Sequence, residues 1–438
     1  MCVCGRSSLL FKLIHWWDLS TNFILRRDYA MKVEDINTSN DDIKQLPQER
    51  GADGAVSGVE QEVASEVTYP FDPEQISISS KVVPLSYLLE QISDGSISAP
   101  QIQRGANLWT PEQQSRLIES LMLRIPLPLF YVSIDKEEHW YIVDGLQRIS
   151  AIRNYILDEK FKLSGLEFLK SECEGIFYRD LPQKYKKRIK ETQLQFATIN
   201  ATTPPGVQRA IFKRLNTGGL PLSAQEIRHA LYYGNSASFL EKLSLSDVFV
   251  NATTGSINDS RMSGRELILR FIAFLVRGVE AYPRNDDMDS FLSEAMQLMN
   301  MMPDMSKQNF KKVFYELPEH TGCKYTNLDD IESKFILAME RACVLFERHA
   351  FRKSTPHQNY RTPINKALFE TLSVILAEMS DEDFEFLYDN KDKMWIVLND
   401  LFNGDPNFVF LISRDSLKSQ SVNKRFGLLE NAFSGLIE

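Results

Sequence analysis

A short segment between a predicted strand and a predicted helix carries residues that could bind an anion. The apolar stretch 140–143 leads through Asp144 and Gly145 into a helical pattern that contains Gln147 and Arg148. The first N–H groups of a helix lack intrahelical partners and lie at the positive end of its dipole, so they attract anions. Gly145 would let an anion approach the backbone, and Gln147 and Arg148 would add donors. These residues predict a phosphate-type site; the alternative is an ordinary turn with a solvated Arg148.

Two further polar clusters could complete such a site. Gln103 and Arg104 follow a short predicted strand, while Arg214 and Asn216 lie at the end of a predicted helix that runs into two glycines. Guanidinium groups, amides and glycine-lined backbone are typical of phosphate sites. Each cluster also has a simpler interpretation, because Arg104 can pair with a nearby carboxylate and the second cluster can be an ordinary helix C terminus.

A basic helix is predicted over residues 178–190, which contain six Lys and Arg residues and only one Asp. Lys184, Lys187 and Arg188 are its candidates for contacts with DNA phosphates, which bind clustered cations in a salt-dependent way. The alternative interpretation is a solvated helix face.

Short strands and helices alternate from residue 76 to about 235. Thr110 followed by Pro predicts one helix start, and Ser223 with Glu226 predicts another through a capping box. The mixture of short strands and helices favours an α+β domain with a small mixed sheet. The predicted strands are 76–83, 98–102, 129–134 and 140–143, and the predicted helices are 85–92, 111–124, one after Asp144, 207–215 and one after Ser223.

Beyond about residue 236 the hydrophobic period is helical almost throughout. We therefore expect an all-helical C-terminal region over 236–438. Its clearest helical patterns are 266–276, 288–301, 331–350, 364–379 and 381–402.

The N-terminal part of the chain is acidic and poor in large apolar residues. Of the formal net charge of -9, residues 31–72 contribute -7, from ten acidic and three basic side chains. Such a composition buries little surface to offset chain entropy. We expect residues 1–75 to form a flexible acidic leader ahead of a domain at 76–235. A translation start at Met31 is a further hypothesis, which N-terminal sequencing of the native protein would test.

Several function classes find no support in the sequence. No Gly is followed directly by Lys, which excludes a Walker A loop, and no His-Glu-x-x-His or HNH-type nuclease pattern occurs. The five cysteines show no paired spacing typical of zinc sites. No apolar run approaches the roughly 20 residues of a membrane helix. These features predict a cytoplasmic protein that has no membrane partner.

Six short motifs, taken in order, closely resemble the N-terminal domain of GmrSD-type restriction enzymes, also called domain of unknown function 262. That family belongs to the ParB/sulfiredoxin-like fold, and the resemblance covers residues 76–235. Later segments at 261–271, 364–369 and 424–426 are similar to the helical extension of stand-alone members. The six motifs are Pro-Gln-Ile-Gln-Arg at 100–104, Trp109, Leu-Ile-Glu-Ser at 117–120, Ile-Pro-Leu-Pro at 125–128, Asp-Gly-Leu-Gln-Arg at 144–148, and Phe-Lys-Arg-Leu-Asn-Thr-Gly-Gly at 212–219 with Gln-Glu-Ile-Arg at 225–228.

The resemblance implies a nucleotide-binding or nucleotide-hydrolysing domain, with an NTP and Mg²⁺ as ligands, used in defence against phage or modified DNA. Leu146 departs from the family motif, which usually has Gln there, so one polar contact is missing. We also expect this chain to differ from the two-part enzymes in lacking their C-terminal HNH nuclease domain. The residues that motif matching implies for the nucleotide site are Gln103, Arg104, Asp144, Gly145, Gln147, Arg148, Arg214 and Asn216.

Three functional hypotheses follow. The first is an NTP-hydrolysing defence protein in which Asp144 and Arg148 are catalytic and a separate nuclease subunit is a candidate partner. The second is a DNA-binding sensor that turns over no nucleotide and uses Lys184, Lys187 and Arg188. The third is a metal-dependent DNA nickase in which Asp144 is essential. The metal ligands and the oligomeric state are left open by the sequence.

Overall fold

The computed structural model describes residues 48–50, 56–62, 77–97, 109–134, 139–200, 203, 207–211, 223–232, 234–306, 310 and 323–437. These residues fall into two compact units. The sheet unit comprises the described residues between 77 and 232. The helical unit combines residues 48–50 and 56–62 with the described residues from 234 onward.

The predicted α+β class is confirmed, with small sheets in the first part of the chain and a helical C-terminal region. The strands are β1 (Gln48–Arg50), β2 (Val56–Glu60), β3 (Ile78–Pro84), β4 (Phe130–Ile134), β5 (Trp140–Asp144) and β6 (Gln193–Ile199). The helices of the sheet unit are α1 (Leu85–Ser93), α2 (Pro111–Met122), α3 (Leu146–Ile156), α4 (Lys170–Cys173), α5 (Gln183–Glu191) and α6 (Ala224–Leu231).

The sheet unit has a four-stranded mixed sheet of order β3-β6-β4-β5. β6 pairs antiparallel with β3 and parallel with β4, and β4 pairs antiparallel with β5. Ring packing ties these strands together, because Phe196 of β6 stacks on Phe130 at 5.1 Å and meets Trp140 at 5.2 Å between centroids. The central strand β6 was not predicted from the sequence.

Two predicted helix starts are confirmed in atomic detail. Thr110 Oγ1 accepts the Gln113 N–H at 3.3 Å, and Gln113 Oε1 accepts the Thr110 N–H at 2.9 Å. Ser223 and Glu226 form the same reciprocal pair at the start of α6, at 3.1 and 2.6 Å. Each capping box satisfies amides that the first helical turn leaves without partners.

The predicted basic helix at 178–190 is wrong in its extent. The structure has a 3₁₀ turn at Tyr178–Asp180 and a separate helix α5 that starts after Pro182. The physical reason is Pro182, which has no N–H to donate and keeps the preceding residue extended.

The helical unit confirms the predicted helical period, and the helices described for it lie after residue 234. The single helix predicted over 381–402 is wrong, because the chain breaks at Asn390 into two helices and ends in a π turn at Asp400–Gly404. The helices are α7 (Asn235–Ser244), α8 (Asp247–Ala252), α9 (Ser263–Arg277), α10 (Met288–Met301), α11 (Leu328–Phe346), α12 (Lys366–Glu378), α13 (Asp381–Asp389), α14 (Lys391–Asn399), α15 (Pro406–Ser413) and α16 (Ser419–Ile437).

Part of the acidic leader is not a flexible chain. β1 and β2 pair antiparallel as a hairpin and belong to the helical unit. Val59 is fully buried there, and Glu60 donates its N–H to the Ile364 carbonyl at 2.7 Å. The composition argument fails for these residues because their carboxylates meet buried cations far along the chain. Gln61 and Glu62 are also described, and the other residues of the leader, 1–47, 51–55 and 63–76, lie outside the described residues.

Candidate functional site

The turn between β5 and α3 is built around Gly145. This residue has φ +96°, in the left-handed region that favours glycine. A Cβ at this position would lie 2.4 Å from Cδ1 of Phe130. Both the backbone conformation and the space beside β4 therefore require glycine, and α3 begins directly after it at Leu146.

We predict that Gly145→Ala destabilises the sheet unit by about 3 kcal/mol, because left-handed strain and a clash with Phe130 add together. The measurement is the urea midpoint for the loss of sheet-unit structure. Gly95→Ala is the matched control, since Gly95 has φ +86° and no atom within 4 Å of its Cβ position. Strain alone should cost about 1 kcal/mol there. Equal losses in the two variants would contradict the role of the Phe130 contact.

Arg148 folds back onto the strand that precedes the site. Its guanidinium donates to the carbonyl of Pro128, to the carbonyl of Leu129 at 3.2 Å and to Oδ2 of Asp144 at 3.0 Å, and it lies over the Phe130 ring at 4.2 Å. Its side chain is 11% exposed. The solvated Arg148 of the simpler interpretation is therefore wrong. Arg148 joins the entry of β4 to the turn.

Burial also affects the pKa of Arg148. Desolvation lowers the pKa of Arg148 below its ordinary value, although the ion pair with Asp144 opposes the shift. The guanidinium remains a cation, but both of its terminal nitrogens already donate to acceptors inside the protein. Arg148 thus supplies positive charge and rigidity to the turn.

Asp144 and Gln147 have polar atoms that remain accessible. The Asp144 side chain is 45% exposed, with one oxygen held by Arg148. Gln147 is half-buried in the first turn of α3. The first intrahelical bond of this turn runs from the Ile149 N–H to the Gly145 carbonyl at 2.9 Å, so the preceding amides are not used within the helix. One carboxylate therefore lies at the N terminus of α3, with Gln147 in the first turn of that helix.

The other residues predicted for the nucleotide site cannot be placed. Gln103, Arg104, Arg214 and Asn216 lie outside the described residues. The structure does not bring them together with Asp144, and their roles stay predictions. In the part of the chain that the structure describes, His, Cys, Asp and Glu side chains nowhere form a group of three that could hold a metal ion.

The helix α6, which follows the 214–216 segment along the chain, packs against β5. Ile227 and Val143 share one apolar cluster, and Val143 directly precedes Asp144. Gln225 and Arg228 are buried in this helix, with the Arg228 Nε donating to Gln225 Oε1 at 2.8 Å. In the sequence these two residues stand out only as part of the Gln-Glu-Ile-Arg motif at 225–228. Their burial shows that they support the face of the sheet next to the turn.

Glu119 has a structural role that the sequence analysis missed. Its side chain is buried and its carboxylate accepts three backbone N–H groups, from Glu167 at 3.0 Å and from Phe168 and Leu169 at 2.8 Å. Hydrogen bonds to a buried ionised acceptor are stronger than neutral ones. Glu119 thereby fixes the loop ahead of α4. The signal in the sequence that could have indicated this role is an acidic residue within the apolar face of α2.

The three predicted DNA-binding side chains point to different internal partners. Lys184 pairs with Glu172 at 2.6 Å, and this hydrogen bond raises the pKa of Lys184. Arg188 donates to the carbonyl of Met122 at 3.2 Å. Lys187 is 74% exposed and lies 3.8 Å from Glu191. Of these three, Lys187 is the side chain most available to an external phosphate.

Comparison with known protein families gives one match. A sequence model described as the GmrSD restriction endonuclease N-terminal domain matches residues 85–233. This range contains the Asp144 turn, Glu119 and α6 and spans most of the sheet unit. Comparisons with curated proteins and with solved structures gave no match. None of the described helices combines the length and apolarity that a membrane span requires. Residues 85–233 of this chain are therefore a member of the GmrSD N-terminal domain family.

Proposed function

We propose that the sheet unit binds and hydrolyses a nucleoside triphosphate in the service of a restriction or anti-phage system. The observation that carries this proposal is the Asp144 turn, in which an exposed carboxylate and a first-turn amide lie at a helix N terminus within a GmrSD-type domain. The same resemblance supports a ParB/sulfiredoxin-like fold for this unit, with its small mixed sheet. A separate nuclease subunit is the partner that we propose would cut DNA.

The turn offers a place for the phosphates. The free amides at the start of α3 and the positive end of its dipole favour an oxyanion, and Gln147 can donate to it. Arg148 would act as a positioning residue, because its bonds to the carbonyls ahead of β4 hold Asp144 and Gly145 in place. The left-handed conformation of Gly145 and its close approach to Phe130 help to hold this arrangement in place.

Hydrolysis would require Asp144 to orient water. The water oxygen forms a bond to the γ-phosphorus, the bond from that phosphorus to the bridging oxygen breaks, and the proton of water passes to solvent or to Asp144. Mg²⁺, when bound with the nucleotide, supplies charge neutralisation, and a single carboxylate together with phosphate oxygens is a usual set of ligands for it. Asp144 fits that donor set.

Gln147→Ala is the variant that tests the site most cleanly. Arg148→Ala should abolish binding too, but it would also remove the contacts that hold the turn, so a loss of binding would be harder to interpret. We expect Gln147→Ala to weaken nucleotide binding about tenfold, because a hydrogen bond to a charged group is lost while the fold is kept. Equilibrium binding of ATP, GTP, CTP and UTP provides the measurement. Gln183→Ala, at the first position of α5, is the control.

Unchanged affinity in Gln147→Ala would contradict the assignment of the nucleotide site to this turn. An equal loss in Gln183→Ala would also contradict it, since Gln183 lies on a different helix. Circular dichroism spectra of all variants would establish that the comparison is between folded proteins.

DNA binding is the second function we propose, and the exposed Lys187 favours it. Binding should weaken with salt, because counterions are released when phosphates are neutralised. The ion pair of Lys184 with Glu172 reduces its share of such binding.

A further inference from the structure

The hairpin of β1 and β2 is held in the helical unit by both backbone and side chains. The Ile364 N–H donates to the Gly58 carbonyl at 3.0 Å, and the Asn258 N–H donates to the Ser57 carbonyl at 3.0 Å. Gly58 has φ +78°, and a Cβ there would lie 1.9 Å from the Ser256 carbonyl oxygen. The strand therefore fits closely against the chain on either side of it.

Three carboxylates of this segment meet the helical unit in the same way. Each is bound by one cation and by one neutral donor. Glu49 pairs with Lys366 and accepts from Ser263 at 3.2 Å. Glu60 pairs with Lys353 and accepts from Asn365 at 3.1 Å. Glu62 accepts from both terminal nitrogens of Arg270, one at 3.2 Å, and from Ser416 at 2.8 Å.

These receptors form what we call the cation slot, defined by Arg270, Lys353, Lys366, Ser263, Asn365 and Ser416. The Arg270 and Lys366 side chains are 4% and 6% exposed. Burial alone would raise the pKa of Glu62, but attraction to Arg270 and Lys366 outweighs it and holds the pKa below its ordinary value. The carboxylate is therefore bound as an anion.

The helices alone do not neutralise these cations. Glu266 is shared between Arg270 at 3.2 Å and Lys366 at 3.1 Å, and Glu370 is shared between Arg270 and Arg425. Among the described residues, Arg270, Lys366 and Arg425 thus share two carboxylates from the helices, while the carboxylate that pairs with Lys353 is Glu60 of the hairpin segment. The hairpin segment supplies three further carboxylates, from Glu49, Glu60 and Glu62. A buried site with unpaired cations has a strong demand for anions.

The shape of the slot indicates which anions it takes. It receives one chain segment, in which Glu60 ends β2 and Glu62 follows two residues later, at most about 7 Å further along the chain. A single nucleic-acid strand is a chain with a regular row of oxyanions. A nucleic-acid duplex is wider than the single protein segment that occupies the slot.

We propose that the cation slot is a binding site for single-stranded nucleic acid that the acidic hairpin covers in the same molecule. Release of the hairpin exposes Arg270, Lys353 and Lys366 to phosphates. This inference goes beyond the proposed nucleotide site, since it involves other residues in the other unit.

The test uses the full chain with Glu60→Gln and Glu62→Gln combined, which removes two of the three anchoring charges. Release of the hairpin is measured as faster tryptic cleavage after Arg50. Binding is measured with a fluorescent single-stranded DNA oligonucleotide at low salt. We expect cleavage to accelerate and affinity to rise about tenfold, because two to three phosphates replace the lost carboxylates. Adding Lys353→Gln and Lys366→Gln should remove the gain.

A second variant keeps the proposal testable if the double variant fails to fold. Gly58→Ala disturbs docking but keeps every charge, and Gly255→Ala, with φ +60° and little contact, is its control in the same unit. Gly58→Ala should also gain DNA affinity, and Gly255→Ala should not. The proposal is overturned if the hairpin stays docked in the double variant, if its release leaves DNA affinity unchanged, or if the gain survives removal of the two lysines.

Discussion

Replacement of Arg270 by Met is expected to destabilise the helical unit by about 4 kcal/mol, because it leaves buried carboxylates without their shared counter-charge. Burial alone would lower the pKa of Arg270, but attraction to Glu62, Glu370 and Glu266 raises it well above its ordinary value. Urea unfolding followed by circular dichroism provides the measurement, since most helices belong to this unit.

Lys242→Met is the matched control for this prediction. Lys242 pairs with Glu332 at 2.6 Å in the same unit, but its side chain is 62% exposed. Solvent screening limits such surface pairs to about 0–1 kcal/mol. Equal destabilisation by the two variants would show that the buried cluster around Arg270 does not carry the energy we assign to it.

Asp144→Asn is expected to reduce phosphate release at least about a hundredfold, the usual contribution of a group that handles a proton or orients the attacking water. The amide has nearly the shape of the carboxylate and can still accept from Arg148, so the turn should keep its structure. Release of phosphate from each of the four nucleotides is measured in the presence of Mg²⁺.

The same helix provides the control for Asp144→Asn. Asp158 pairs with Arg153 at 3.3 Å beyond the C-terminal end of α3, as Asp144 pairs with Arg148 at its N-terminal end. Asp158→Asn therefore removes a comparable carboxylate at the far end of the helix. Loss of release in both variants would indicate damage to α3 and would contradict a specific role for Asp144.

The sequence was sufficient for elements with strong local signals. Helices begin where Thr110 followed by Pro and the Ser223–Glu226 capping box predicted them, because the capping contacts lie within three residues. Strand β6 was missed for the opposite reason. Only Gln193 to Phe196 alternate between exposed and buried, and the residues after them are all buried between two neighbouring strands.

The hairpin at 48–60 shows a different limit of local patterns. Its acidic composition predicts a flexible chain, yet Glu60 and Glu62 bind Lys353 and Arg270 more than 200 residues away. Complementarity over such distances cannot be inferred from the composition of one segment. The same holds for Arg148, since its acceptors at Pro128 and Leu129 depend on the path of β4.

At the candidate site the sequence placed the turn correctly. A strand over 140–143 and a helix after the Asp144 turn were predicted, and the structure has them at Trp140–Asp144 and Leu146–Ile156. The Asp-Gly step is a local signal. The sequence could not indicate that Arg148 turns inward while Asp144 and Gln147 stay accessible. That distinction depends on the tertiary contact with Phe130.

The central claim is that the Asp144 turn serves a nucleotide-hydrolysing site, and phosphate release by the intact protein tests it most directly. ATP, GTP, CTP and UTP would each be supplied with Mg²⁺, with and without duplex DNA. We predict release from at least one of them, which disappears in Asp144→Asn and persists in Asp158→Asn. Absence of release from all four, in both conditions, would contradict it.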